Sequence, residues 1–331
     1  MADVFAFTGI AGTGVGYALR TLKSHLDSHD PPIPTDIIPI DTLMWRAFCA
    51  DARKDKSLLL AAGFADDYVP DEDKPNWWHL LRLPFCTIRR YWKAGVAGAL
   101  GAIDEAKAGF VFLHFHANYQ SEDLRWRLSA ADVESLRPLK IRACTCLIDD
   151  TYDVHCRRTE FRKYDRQNLQ CPGLAERPWD RLTRFVVDSA QDITQLVTWR
   201  QEEIANTSFL AHQFQCPFHI FAIKHPRETA RKLLQERGAS WYLSHPITSV
   251  RGNASFPGNE ELEAVTRIAH HLRGKRKALI EPTTIDEFRF KMITVPDVGE
   301  CLIEFRKSNV STLYPSGDGS LDARMRDRSF P

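Results

Sequence analysis

Gly9-Ile-Ala-Gly-Thr-Gly-Val-Gly16 sits between two regular stretches of the chain. Before it, Val4–Thr8 is a short apolar run of the kind that forms a buried strand. After it, 17–26 carries apolar residues at helical spacing. The order is strand, glycine loop, helix. Four glycines in eight residues let the backbone curl so that successive N–H groups turn toward one point. A helix starting near Gly14 adds the positive end of its dipole at the same place. This stretch decides the fold class, because a strand that enters a helix through a tight glycine turn is how parallel α/β sheets begin.

The rest of the chain extends that pattern. "DIIPID" (36–41) predicts a second short strand after the break at "DPPIP" (30–34). Residues 42–100 have mostly helical spacing, punctuated by Pro70, Pro75 and Pro84. "FVFLHFHA" (110–117) and "IRACTCLIDD" (141–150) are apolar runs suited to strands buried on both faces. The charged stretch between them, 121–137, is expected to be helical. A long helix with room for a break is predicted over 178–210, a strand at 217–226, a basic helix at 227–237, a helix at 259–272 and a strand at 277–282. After Asp286 the periodicity fades. Strands alternating with helices imply a parallel sheet. The 331 residues suggest two domains, divided at 215/216 within a soft zone of 215–240.

Composition narrows the partners. Hydrophobic residues make up 44% and charged residues 26%, with a formal net charge of +1. That balance argues against a sequence-independent grip on nucleic acid, which needs a basic excess. No apolar run approaches the ~18 residues of a membrane span. The eight cysteines, at 49, 86, 144, 146, 156, 171, 216 and 301, contain no CxxC pair, and free thiols in a reducing cytoplasm are expected. His155, Cys156, Cys171, His212 and Cys216 match no standard zinc spacing, so buried or incidental thiols are the expectation there.

The loop fits G-x-x-x-x-G-K-[ST] at Gly9 and Gly14, but the lysine position holds Val15 and the hydroxyl position holds Gly16. It therefore keeps its backbone donors and lacks the lysine charge on the β/γ-phosphates and the hydroxyl for Mg²⁺. A dinucleotide loop, G-x-G-x-x-G, starts at Gly12 and Gly14 and fails at Tyr17. A short-chain dehydrogenase loop starts at Thr8 and Gly9, has its later glycines off by one, and finds no Y-x-x-x-K. A turn without a ligand stays open. With these residues in view, Phe5–Leu22 resembles the first strand, loop and helix of adenylate-kinase-like P-loop NTPases. The resemblance is close over about twenty residues and loose over about two hundred. It implies a parallel-sheet P-loop-like domain that binds ATP or another nucleotide, with Gly9, Gly12, Thr13, Gly14 and Gly16 around the phosphates. "CTCLIDD" resembles a Walker B strand, which implies Asp149 or Asp150 at a Mg²⁺ ion. In such kinases basic residues close over the phosphates, and here Arg157, Arg158, Arg162 and Lys163 are placed to do so; a solvated basic face is the alternative. His114 and His116 are two apart, which puts both on one side of a strand. "WWHLLRLPFCTIRRYWK" (77–93) could stack bases or simply pack a helix. Lys224 and His225 leave a strand end.

"WYLSHPITSVRG" (241–252) resembles the opening of the nucleoside 2-deoxyribosyltransferase-like fold, with Tyr242, Ser244, Pro246, Pro282 and Asp286 at the matching positions and Glu260, Glu261 and Glu263 starting the next helix. That resemblance spans about fifty residues and implies a smaller, flavodoxin-like α/β unit. Its chemistry needs a carboxylate nucleophile. "PDVGECLIEF" offers Asp297, Gly299 and Glu304, with Glu304 one residue too far along, so the unit is expected to be incomplete or inactive. Three functions follow as expectations. The first is a nucleotide-binding protein derived from a P-loop kinase, with Asp149, Asp150, Arg157 and Arg158 as its chemistry. The second is a nucleoside deoxyribosyltransferase or N-glycosidase acting through Glu304. The third is a nucleotide-sensing subunit of a regulatory or defence system that binds without turnover. A protein partner or a homo-oligomer is compatible with all three.

Overall fold

β1 (Asp3–Thr8) is buried from Val4 onward, as an apolar run in a sheet covered on both faces requires. In this computed structural model, the described residues are 2–65, 67–73, 75–107, 109–121, 126–129, 132–151, 153–155, 157–158, 178–235, 240–242, 260–273, 278–280, 290–295 and 299–305. The chain divides into two compact units, 1–149 with 196–239, and 150–195 with 240–331.

The first unit is built on a five-stranded sheet. Its strands are β1, β2 (Thr35–Pro39), β3 (Phe110–His114), β6 (Ala143–Ile148) and β7 (Phe218–Ala222), in the order β2-β3-β1-β6-β7. All four pairings are parallel; Phe5 lies between Phe112 of β3 and Ala143 of β6. Thus β7, beyond the expected division at 215/216, pairs with β6 in the first unit's sheet.

The helices cover both faces, because a parallel sheet has no face to spare for water. Helix α1 (Val15–Asp27) touches β2 and β3 and packs on α8 (Arg227–Gln235). On the other face, α2 (Ile40–Ala52) packs on α5 (Phe85–Glu105). The short helices α3 (Ser57–Ala61) and α4 (Trp77–Leu80) precede α5. The main core joins Val4, Ala6, Val111 and Leu113 of the sheet to Met44, Trp45, Phe48, Ile88 and Trp92 of these helices. The alternate strand residues Phe5, Phe7, Phe110 and Phe112 form an edge-to-face aromatic stack on the opposite face.

The stretch 121–137, read from the sequence as helical, is different. Among the described residues it carries β4 (Tyr119–Ser121) and β5 (Trp126–Leu128), an antiparallel pair, and helix starts at α6 (Val133–Leu136), with a 3-10 turn from Arg137. Cross-strand pairing overrides a weak helical preference in charged sequence. The long helix α7 (Pro178–Phe214) is continuous. From Leu196 it belongs to the first unit, and its buried residues 196, 199, 203, 207, 210 and 211 follow helical spacing.

The second unit contains β8 (Ser240–Tyr242) and β9 (Ala278–Ile280), paired in parallel, with α9 (Glu260–Arg273) between them in sequence. Its last described elements are an antiparallel pair, β10 (Phe290–Val295) with β11 (Gly299–Phe305), where the sequence periodicity had faded. No helix among the described residues is long and apolar enough to cross a membrane.

Candidate functional site

Counted in chain order, the first sheet runs 2-3-1-4-5. This is not the 3-2-1-4-5-6 order of dinucleotide-binding sheets. The crossover from β1 passes β3 to reach β2, and the one from β3 returns past β1 to reach β6. Right-handed crossovers in opposite directions lie on opposite faces. This strand order puts the topological switch point at the carboxyl ends of β1 and β3, the place where open α/β sheets commonly bind ligands. The glycine loop leaves β1 at that point, His114 ends β3, and Asp149 follows β6.

The Gly9 end of the loop is fixed by close packing. A Cβ on Gly9 would lie 2.7 Å from the Leu147 carbonyl oxygen and 2.7 Å from Val15 Cγ2. Only glycine fits between the β6 backbone and the start of α1. Val15, at the lysine position, is buried, so it fills space beneath the loop. Gly12 and Gly14 take the left-handed conformation, with φ of 92° and 86°. Side chains with a Cβ resist this region. The turn is closed by Thr13 N–H donating to the Ile10 carbonyl at 3.0 Å, and Ala18 N–H donates to the Gly14 carbonyl as α1 begins. Gly14 is the N-cap and gives α1 no side-chain cap; the first turn of α1 contains no acidic residue.

Below the loop lies a buried polar network that sequence reading did not find. Glu203, fully buried on α7, accepts from Gly9 N–H at 3.1 Å and from Ala117 N–H at 2.8 Å through Oε1, and from Asn118 N–H at 2.8 Å through Oε2. One carboxylate thus satisfies three backbone donors from the ends of β1 and β3. Burial pushes its pKa up to about 7, against the pull of His116 and the three N–H groups. The Thr207 hydroxyl donates to the Glu203 carbonyl at 2.7 Å, so at the 2.6 Å contact between Thr8 and Thr207 it is Thr8 that donates. Asn118 is held further by Trp199 Nε1–H to its carbonyl and by Asn206 to its side chain.

His116 links the loop to α2. Its Nδ1 meets the Gly9 carbonyl, so Nδ1 carries the proton there. Its Nε2 lies 3.6 Å from Asp41 Oδ2. Tyr119 donates its hydroxyl to the other oxygen of Asp41. Burial raises the Asp41 carboxyl, opposed by His116 and Tyr119, and burial also raises Tyr119, reinforced by Asp41.

The Gly16 end of the loop faces another set. Arg20 Nη1 lies 3.5 Å, and His114 Cε1 4.0 Å, from where a Gly16 Cβ would sit. Arg20 is one turn along α1, and helix side chains lean toward the N-terminus, which brings its guanidinium back to the loop. Burial, with His116 and Arg20 alongside, lowers His114 to about 3, so it is neutral at neutral pH. At the end of β6, Asp149 is buried and lies 3.4 Å from Lys224 Nζ, which comes from the turn after β7.

The sequence candidates thus divide between the units. Gly9, Gly12, Thr13, Gly14, Gly16, His114, His116, Asp149 and Lys224 gather at the carboxyl end of the first sheet. Asp150, Arg157 and Arg158 belong to the second unit, Asp150 buried and the two arginines part-buried. Tyr242 ends β8, and Glu304 lies in β11 opposite Lys291. Ser244, Pro246, Pro282, Asp286, Asp297, Arg162, Lys163, Cys156 and Cys171 lie outside the described residues. Asp41, Tyr119 and Glu203 were missed. One signal existed for Glu203: a charged residue within a helical stripe otherwise made of Leu196, Trp199, Thr207, Leu210 and Ala211. No family model matches this chain, and no curated protein matches it.

Proposed function

We propose that the first unit is a nucleotide-binding protein of P-loop type, in which the glycine loop holds phosphate and turnover is compromised. The observation that carries this reading is the backbone of the loop, left-handed at both Gly12 and Gly14 and placed at the carboxyl end of the central strand. Successive N–H groups in such a turn form a nest for an anion, and the uncapped start of α1 favours negative charge there. Arg20, exposed and set against Gly16, is the cation that takes over from the lysine replaced by Val15. A planar guanidinium suits a phosphate oxygen pair.

One part of a metal-assisted transfer is missing from these residues. Gly16 has no hydroxyl for Mg²⁺, and Asp149 already faces the Lys224 ammonium. No reaction step is therefore assigned to Mg²⁺, and binding of ATP or another nucleotide is the function proposed.

The test is a melting curve of the full chain with ATP, ADP, AMP and inorganic phosphate, each with and without Mg²⁺, followed by product analysis. Linkage gives about 2.7 kcal/mol of added stability at a ligand excess of 100 Kd. Stabilisation by ATP with the nucleotide recovered intact is the expected result, and Gly14→Val should abolish it. An unchanged melting temperature with every nucleotide would remove the loop from consideration. New diphosphates would mean that Arg20 suffices for catalysis.

A further inference from the structure

At the opposite end of the sheet, away from the glycine loop, two cysteines from distant parts of the chain face each other. We infer that Cys144 and Cys216 form an oxidisable pair, which a peroxide converts to an intramolecular disulfide tying the start of β6 to the turn between α7 and β7. The two Sγ atoms are 3.8 Å apart. A disulfide needs about 2.05 Å, so the sulfurs must approach by roughly 1.8 Å, within reach of side-chain rotation when the backbones are already adjacent. They are adjacent and pinned. Cys144 N–H donates to the Pro217 carbonyl at 3.0 Å, and Cys216 N–H donates to the Ala211 carbonyl at 3.0 Å. Cys144 is in register with Phe218, two residues beyond Cys216.

The two thiols differ in the way an attacking and a resolving cysteine should. Cys216 is part-exposed and Cys144 is buried, so an oxidant meets Cys216 first. The thiol hydrogen bond between them holds Cys216 below the usual thiol range and Cys144 above it, which leaves the proton on Cys144 and thiolate character on Cys216. The chemistry balances with a peroxide as the oxidant. The Cys216 thiolate attacks one peroxide oxygen, the O–O bond breaks, and the leaving oxygen departs with a proton as water or alcohol. The resulting sulfenic acid is attacked by the Cys144 sulfur. The S–S bond forms, the S–O bond breaks, and the hydroxyl takes the Cys144 proton to leave as a second water. Two thiols lose two electrons in total, and the peroxide gains them.

The product would cross-link the strand that precedes Asp149 to the turn that follows the helix carrying Glu203. It would fix one end of both elements without touching the glycine loop. Three other cysteines provide contrast. Cys49 and Cys146 are buried, and Cys86 is exposed, with its sulfur 4.0 Å from the Thr87 hydroxyl.

The test is peptide mapping of the reduced full chain after hydrogen peroxide, with remaining thiols alkylated under denaturing conditions. The expected result is one cross-linked peptide pair containing Cys144 and Cys216, lighter by two hydrogens and released by dithiothreitol. Cys86→Ser should leave it unchanged, and Cys216→Ser should remove it. Recovery of both residues as alkylated thiols would overturn the inference. So would Cys216 ending as a sulfinic acid with Cys144 still alkylated, or a disulfide of either residue to another cysteine. The wild-type map decides the matter even if a variant fails to fold.

Discussion

The two ends of the glycine loop are built on opposite terms. At Gly9 every polar group has a partner inside the protein: the N–H goes to Glu203 and the carbonyl to His116. There is also no space for a single methyl group. At Gly16 the nearest atoms beyond the helix backbone are the guanidinium of an exposed arginine and the edge of a neutral histidine, at 3.5 and 4.0 Å. The contrast shows how a loop can be both rigid and receptive. One end is locked to strands β1, β3 and β6 by buried contacts, so the backbone of the other end is held in place at no further cost when something binds. Substitutions at the Gly9 end should therefore act on stability, and substitutions at the Gly16 end on binding.

The largest effect should come from Glu203→Ala. It leaves three buried N–H donors without their acceptor, and the loss should be on the order of 4 kcal/mol in a denaturant titration. A loss below about 1 kcal/mol would mean that water replaces the carboxylate and that the Gly9 end is not locked. Gly9→Ala should cost roughly 2 kcal/mol, because the Leu147 carbonyl is backbone and cannot step aside. Here Val15→Ala in the same chain should return part of the loss, since Val15 Cγ2 is the other atom in the way.

Arg20→Ala should leave stability within about 0.5 kcal/mol, as an exposed position allows, and weaken nucleotide binding about tenfold. Equal binding by wild type and variant, measured calorimetrically, would take the replacement charge away from Arg20. A further effect is on pH dependence. The folded state raises Glu203 to about 7, so between its unfolded value near 4.5 and about pH 7 the native protein binds the extra proton. Its contribution is complete below that window and declines as pH rises through it, by at most about 1.4 kcal/mol per pH unit. Glu203→Gln cannot titrate, so the ratio of wild-type to variant stability should fall across pH 5–7. A parallel pair of curves would show that Glu203 is ionised throughout.

Much of the frame was legible in sequence because it rests on local periodicity. The runs 4–8, 110–117 and 141–150 gave three strands of the sheet, and the glycine spacing gave the turn and the start of α1. The misreading at 121–137 has a physical cause too. A charged segment has little pattern of its own, and there the pairing of Tyr119–Ser121 with Trp126–Leu128 decides the structure. His114 and His116 were read as sharing one side of a strand, yet β3 ends at His114 and their surroundings differ for reasons no spacing contains. His114 is at the strand's end beside Gly16, whereas His116 lies past the strand, between the Gly9 carbonyl and Asp41.

What the sequence determined by itself, then, is the parallel α/β class and the glycine turn after the first strand, since both follow from short-range patterns of burial and from the backbone freedom of glycine. Only the tertiary structure decided the strand order 2-3-1-4-5, the meeting of Asp41, His116, Tyr119 and Glu203 under the loop, and the approach of Cys144 to Cys216. Those partners are 72 to 194 residues apart in the chain for the contacts of Glu203 with Gly9, of Tyr119 with Asp41 and of the two cysteines. No local preference encodes such a meeting. It comes from burying both faces of one sheet at once, which carries α2 and α7 to the ends of β1 and β3, where Asp41 meets His116 and Tyr119 and Glu203 meets three backbone N–H groups.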